Sequence, residues 1–216
     1  MKLGEIKSQA LYLSFPNPEL ILDTSDMEAM SAKLGELKAD PSYADFLMAS
    51  AGAINRALSA LEIRGLTPLG LRALSAIRDE AGGYTVLDAS VLEDMFSVEG
   101  VFLVKGGVYS PVPFEHLGEN RLCLPFSESG KAYLVKYRKS LDRISSVTSE
   151  SYELPLPEAL ASLIPYFVKG DLLSAEEPEA SRVAMAYFDI MCASYPKDGE
   201  GVANGVFSVY GTEADI

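Results

Sequence analysis

Apolar residues along this chain follow different rhythms in succession. Over the first 66 residues they recur at three- and four-residue steps, the spacing of one helix face. Leu3, Ile6, Ala10 and Leu11 predict a helix over residues 3–13. Phe15-Pro16-Asn17-Pro18 ends it, because proline has no N–H and restricts the residue before it. Met27, Met30, Leu34 and Leu37 predict a second helix, with Ser25 and Glu28 spaced as a capping box. Asp40-Pro41 opens the third and longest, aspartate suiting the N-cap and proline the first turn. Phe46, Ala53, Ile54, Ala57, Leu58 and Leu61 share its apolar stripe, and Gly65 closes it. The run ASAGA at Ala49–Ala53 is all small residues, so a neighbouring backbone can come close there.

After residue 66 the rhythm shortens. Residues 71–77 read as extended, although LRALSAI also suits a helix. Phe102–Lys105, Gly106-Gly107 and Val108–Ser110 predict a hairpin, since two glycines supply the positive φ of a two-residue turn. Pro111 and Pro113 place the second strand at an edge or end it early. Further short strands fit Arg121–Pro125 and Ala132–Arg138, separated by a turn at Ser127–Gly130.

Helical spacing returns near residue 156. Pro157 opens a helix with Leu160, Leu163, Ile164, Phe167 and Val168 facing inward, and Pro165 inside that pattern predicts a kink. A last helix begins near Ser174–Pro178 and carries Val183, Tyr187, Ile190 and Met191 on one face; Tyr195-Pro196 stops it. The expected fold is α+β. N-terminal helices (1–66) and C-terminal helices (154–195) form an antiparallel helical bundle, with a small antiparallel β-sheet module inserted at 67–153. A flexible, extended C-terminal arm (196–216) follows.

That arm reads KDGEGVANGVFSVYGTEADI from residue 197, glycine-rich yet carrying Val206, Phe207, Val209 and Tyr210. Two readings fit: a segment that orders only against a partner, or a strand added to the chain's own sheet.

Charge narrows the partners. The chain has 18 Lys+Arg against 31 Asp+Glu, a net −13, and residues 156–216 hold 3 basic and 10 acidic groups of these. An acidic body repels phosphate backbones, which argues against specific nucleic-acid binding and is compatible with a wall that DNA slides past. Lys131, Lys136, Arg138, Lys139 and Arg143 make a local basic cluster with Tyr133 and Tyr137. It reads as a solvated strand face or a patch for an acidic neighbour before it reads as a stacking site. Cys123 and Cys192 are too far apart for a CxxC site and predict two reduced thiols made in a cytoplasm. No stretch approaches the ~20 apolar residues of a membrane span.

Catalytic chemistry has little to work with. His116 is the only histidine, so every His-dependent triad or metal scheme must use it. Glu93/Asp94 and Glu176/Glu177 are adjacent acids, which does not place them across a cleft. Gly82-Gly83 and Gly106-Gly107 lack the helix and lysine of a phosphate loop. No cofactor or metal is implied, and the chain reads as a non-enzymatic structural subunit.

Two phrases carry a resemblance. One is Tyr43-Ala44-Asp45-Phe46-Leu47 leading into Ile54-Asn55-Arg56-Ala57-Leu58. The other is Leu154-Pro155-Leu156-Pro157-Glu158, then Ile164-Pro165-Tyr166-Phe167-Val168-Lys169-Gly170-Asp171-Leu172, followed by a last helix with Ala186-Tyr187-Phe188. Over residues 3–195 the chain resembles the head–tail adaptor (connector) proteins of tailed bacteriophages. The resemblance implies a virion protein that forms a ring, commonly of twelve copies, beneath the portal. Such a ring extends the DNA channel and presents a surface to the next tail or nozzle protein. It also implies a C-terminal arm reaching the portal, here with Val206, Phe207, Val209 and Tyr210. Ala49, Gly52, Ala53 and Arg56 are the expected subunit-packing positions. A head-closure or tail-terminator protein is the neighbouring reading, and a cytosolic small-ligand enzyme the more distant one.

Overall fold

The computed structural model describes residues 1–196 apart from Thr24, 79–83, Glu119 and 125–130. The arm residues Val206, Phe207, Val209 and Tyr210, the turn at Ser127–Gly130 and the Gly82-Gly83 pair lie outside the described residues. The chain divides into two compact units, Met1–Thr67 with Leu141–Tyr195, and Pro68–Ser140.

The first unit is helical. It contains α1 (Leu3–Ser14), α2 (Met27–Ala39), α3 (Ala44–Ile63), α4 (Glu158–Ala161), α5 (Ile164–Leu172) and α6 (Pro178–Ser194). The central α5 packs against α1, α3 and α6. The apolar stripes predicted for α1 to α3 and for residues 160–168 make its core, with Leu3, Ile6, Leu34, Ile54, Leu58, Leu61, Ile164 and Val168 all essentially inaccessible. Several local expectations shift. Asp26, not Ser25, caps α2, its carboxylate accepting from the Glu28 and Ala29 N–H groups. Asp40 starts a turn, and α3 begins only at Ala44. Gly65 does end α3 with φ 66°, a left-handed conformation that glycine adopts without penalty. Pro165 does not kink a continuous helix. Ser162-Leu163 separates α4 from α5, and Pro165 sits in the first turn of α5, where its missing N–H costs nothing.

Residues 141–153 belong with the helices. Leu141 and Ile144 enter the helical core. Asn55 clamps Ile144 from both sides, donating to its carbonyl at 2.8 Å and accepting from its N–H at 2.9 Å. Glu62, 2 % exposed, accepts the Leu141 N–H at 2.8 Å and pairs with Arg143. Leu3 and Gly4 donate to the carbonyls of Tyr152 and Glu150, which ties the start of α1 to the same segment.

The second unit overturns the expected architecture. Its strands are β1 (Leu69–Ser75), β2 (Ile77–Arg78), β3 (Thr85–Asp88), β4 (Met95–Lys105), β5 (Val108–Val112), β6 (Glu115–His116), β7 (Arg121–Leu124) and β8 (Ala132–Lys139). They form two four-stranded antiparallel sheets, ordered β1-β8-β4-β5 and β2-β3-β7-β6. Both contribute to one core around Leu74, Leu87, Val101, Leu122, Tyr133 and Val135. Strands therefore dominate the middle of the chain, and a helical bundle carrying one small inserted sheet does not describe it. The second sheet escapes a local reading because its strands are two to four residues long and pair residues far apart in the chain, such as Val86 with Cys123.

The hairpin forms as the glycine pair predicts. Lys105 faces Val108 across Gly106 (φ 58°) and Gly107 (φ 78°), and β5 with Pro111 is an edge strand. Register shifts in β4 fall between Met95 and Ser97 and between Val98 and Gly100. The extra residue at the second shift, Glu99, pairs with buried Arg138 at 3.1 Å.

Candidate docking surface

Helix α6 is apolar on two sides. Its inner face, Ala184, Phe188 and Cys192, is buried against the helical core. Phe188 meets the Phe167 ring edge-on at 5.1 Å, and the Arg64 guanidinium lies 5.1 Å above it while pairing with Asp189 at 2.6 Å. Gly170 lets α5 and α6 approach: a Cβ there would fall 2.5 Å from Met185 Cγ and 3.1 Å from the Ser181 carbonyl oxygen. The Ser181 hydroxyl donates to the Gly170 carbonyl across the same contact.

Val183, Tyr187, Ile190 and Met191 do share a face, and it is the exposed one. They are 68, 41, 66 and 38 % exposed. Tyr187 leans on Tyr166 at a centroid distance of 4.4 Å, which holds its ring at the surface. The stripe recurs at steps of four and three residues, as in a helix that packs against another element. Sequence periodicity alone could not tell this stripe from the inner one, because both repeat at helical spacing.

The expected packing residues on α3 divide between surface and interior. Ala49, Gly52 and Arg56 face outward, whereas Ala53 is fully buried. A Cβ on Gly52 would meet only the Arg56 Nη1, at 3.4 Å, so its outer side is open. Arg56 is held by Asp171 of α5, and this pairing raises the guanidinium pKa above its ordinary value. Met48 and Ile63 are also exposed on α3.

The residues considered for chemistry are dispersed. His116 is exposed on the short β6 with Phe114 edge-on at 5.6 Å. Glu93 and Asp94 line an open cleft of about 390 Å³ with Arg72, Val91, Leu92 and Tyr137. Asp94 accepts from Lys139 at 2.9 Å and from the Tyr137 hydroxyl at 3.0 Å. Lys139 chiefly, helped by Tyr137, lowers the Asp94 pKa, while burial and then the Asp94 carboxylate raise that of Tyr137. Among the described residues no group of three His, Cys, Asp or Glu side chains is placed to hold a metal ion. Both thiols are buried, and burial pushes that of Cys192 up. The basic cluster is distributed too: Lys139 pairs with Asp94, Arg138 with Glu99 and Arg143 with Glu62. Tyr133 and Tyr137 are 2 and 6 % exposed, so neither ring can stack on a base.

The Asp94 arrangement makes a pH prediction. A carboxylate whose pKa is depressed by folding adds stability that is present above its unfolded value of about 3.9 and lost as pH falls through the lower folded value. Thermal melts of wild type and Asp94→Asn across pH 2–7 should therefore differ most above about pH 5 and converge in acid. A gap of constant size over that range would show that the carboxylate's charge contributes nothing.

No protein-family model matches the chain, and no curated protein sequence matches it. No helix among the described residues is long and apolar enough to cross a membrane.

Proposed function

We propose that this chain is a structural virion protein, a head–tail adaptor that assembles with copies of itself into a ring beneath a phage portal. In this role it extends the DNA channel, docks the next tail component, and acts by surface burial and not by catalysis. The observation that carries the reading is the outer stripe of α6. An ordered helix that leaves Val183, Tyr187, Ile190 and Met191 in water forgoes on the order of 1 kcal/mol for each half-exposed side chain, which a covering subunit recovers. One such contact is weak. A closed ring repeats it at high effective concentration, so no single interface has to be tight. The outward Ala49, Gly52 and Arg56 offer a second helical surface for such packing. The net charge of −13 suits a conduit to which DNA must not adhere. The segment 197–216, with Val206, Phe207, Val209 and Tyr210, serves in this reading as the arm that reaches the portal.

The test is sedimentation of the full chain with a candidate portal ring. The chain should co-migrate with the ring, and deletion of residues 197–216 should raise the concentration needed by about tenfold or more. A chain that remains a lone monomer with and without the ring at micromolar concentration would end the proposal.

A further inference from the structure

The β1-β8-β4-β5 sheet keeps one backbone edge open. In an antiparallel pair, residues alternate between bonding across the pair and pointing their N–H and C=O groups away from it. Ala76 donates to the Lys131 carbonyl and Lys139 to the Pro68 carbonyl, both at 2.9 Å. The register between these bonds turns the even-numbered residues of β1 toward β8, and the N–H and C=O groups of Leu71 and Ala73 away from it. Neither residue has a backbone hydrogen bond on that side among the described residues.

The reason lies in the neighbouring ladder. Beyond Ala76 the chain enters β2, which pairs with β3, Ile77 facing Val86. Continued back along β1, that register would set Ala73 opposite Ser90 and Leu71 opposite Leu92. The ladder stops short because Asp88 accepts from the Ser90 N–H at 3.0 Å and opens a short 3-10 turn at Ala89–Val91. What remains is the open cleft of about 390 Å³, with Arg72 of β1 on one side and Val91, Leu92, Glu93 and Asp94 on the other.

An unpaired edge is a template for one more strand. The other outer strand of this sheet, β5, is blunted by Pro111, which has no N–H to offer. β1 contains no proline, and Leu71, Arg72 and Ala73 are exposed in succession, so its edge is open from both faces. The chain itself carries a fitting strand outside the described residues. Val206-Phe207-Ser208-Val209-Tyr210 is rich in β-branched and aromatic residues, and Gly205 and Gly211 limit it to five residues, the length of β5. It bears no charge that Arg72 or Glu93 would repel. Residues 197–205, which precede it, reach up to about 30 Å when extended. A tether this short gives an effective concentration on the order of millimolar, which favours the chain's own edge over that of a second copy.

We propose that Val206–Tyr210 adds to the outer edge of β1 as a fifth strand of the same chain's sheet, its backbone pairing with Leu71 and Ala73. The added strand shields an edge that would otherwise pair with other chains. In the role proposed above, the arm leaves this edge when it engages the portal; the closure itself does not depend on that role.

Amide hydrogen exchange of the full-length chain, read residue by residue by NMR, tests the closure. The Arg72 and Leu74 amides bond to β8 and should exchange slowly whatever covers the edge. The Leu71 and Ala73 amides should also be slow, by about tenfold or more relative to a Phe207→Pro, Ser208→Pro double variant. Two adjacent prolines remove an N–H from each side of the segment, so one of them faces β1 in either register. Slow Arg72 and Leu74 amides in the variant establish that its sheet is intact. Equal exchange of Leu71 and Ala73 in the two chains would show that this segment does not cover the edge. Protection that appears only as protein concentration rises assigns the strand to a second copy and overturns closure within one chain. Each result is read on the chain alone, so it is independent of sedimentation with a portal ring.

Discussion

Phe188→Ala should destabilise the helical unit by about 3–5 kcal/mol, among the largest losses a single truncation can cause. The ring is fully buried, packed edge-on against Phe167 and covered by the Arg64 guanidinium. Truncation removes most of the apolar contact that seats the inner face of α6. It also leaves Arg64 without the ring beneath it, so the Arg64–Asp189 pair loses part of its support. The neighbours cannot close the gap cheaply, because Gly170 already sets α5 and α6 at close approach. Chemical denaturation should show a lower midpoint for the helical unit. Phe188→Leu, which keeps most of the volume, should recover more than half of the loss. A Phe188→Ala chain that melts like wild type would show that α6 contributes little to the fold, and would remove the basis for treating its outer stripe as a preformed surface.

Lys7→Met should cost about 3–5 kcal/mol. Lys7 lies on the buried side of α1, 3 % exposed at its side chain, and its ammonium meets Glu150 at 2.8 Å. Glu150 is itself only 11 % exposed at its side chain. Removing one member of a buried pair leaves the other charge desolvated, and that penalty exceeds the net worth of the intact pair. Lys38, 3.4 Å from the same carboxylate oxygen, is more exposed and partly compensates, which puts the expected loss at the lower end of the range. The control is the double variant Lys7→Met, Glu150→Gln. With no stranded charge it should regain much of the single variant's loss, and the coupling read from the cycle should be well above the ~0.5 kcal/mol seen between independent sites. Additive losses would mean that the two side chains do not interact in solution.

These contacts mark the boundary of what periodicity can reveal. Lys7 occupies a helix position that looks solvent-facing in the sequence. Its burial follows from the 150–154 segment crossing α1, and that segment is far away in the chain. Glu62 and Asn55 are similar: each sits on α3 among apolar residues, and each has its partner in residues 141–144. The helix ends were legible to within a few residues because their signals are local, as at Gly65 and at the Tyr195-Pro196 stop. The Gly106-Gly107 hairpin was legible for the same reason. The second sheet was not, since β2, β3, β6 and β7 become strands only by pairing with one another.

The docking surface was half visible. Val183, Tyr187, Ile190 and Met191 repeat at helical spacing and so announce a common face. Ala184, Phe188 and Cys192 repeat as well, and spacing cannot rank two apolar stripes on one helix. Local sequence was enough to place the helices and the hairpin, to set the acidic balance, and to put two apolar stripes along α6. Which stripe enters the core, and that the middle of the chain is two sheets with their own interior, came from long-range packing. The physical reason is the same in each case. Local backbone preference and side-chain period act over a few residues, whereas burial is settled by which distant segments fill the space beside them.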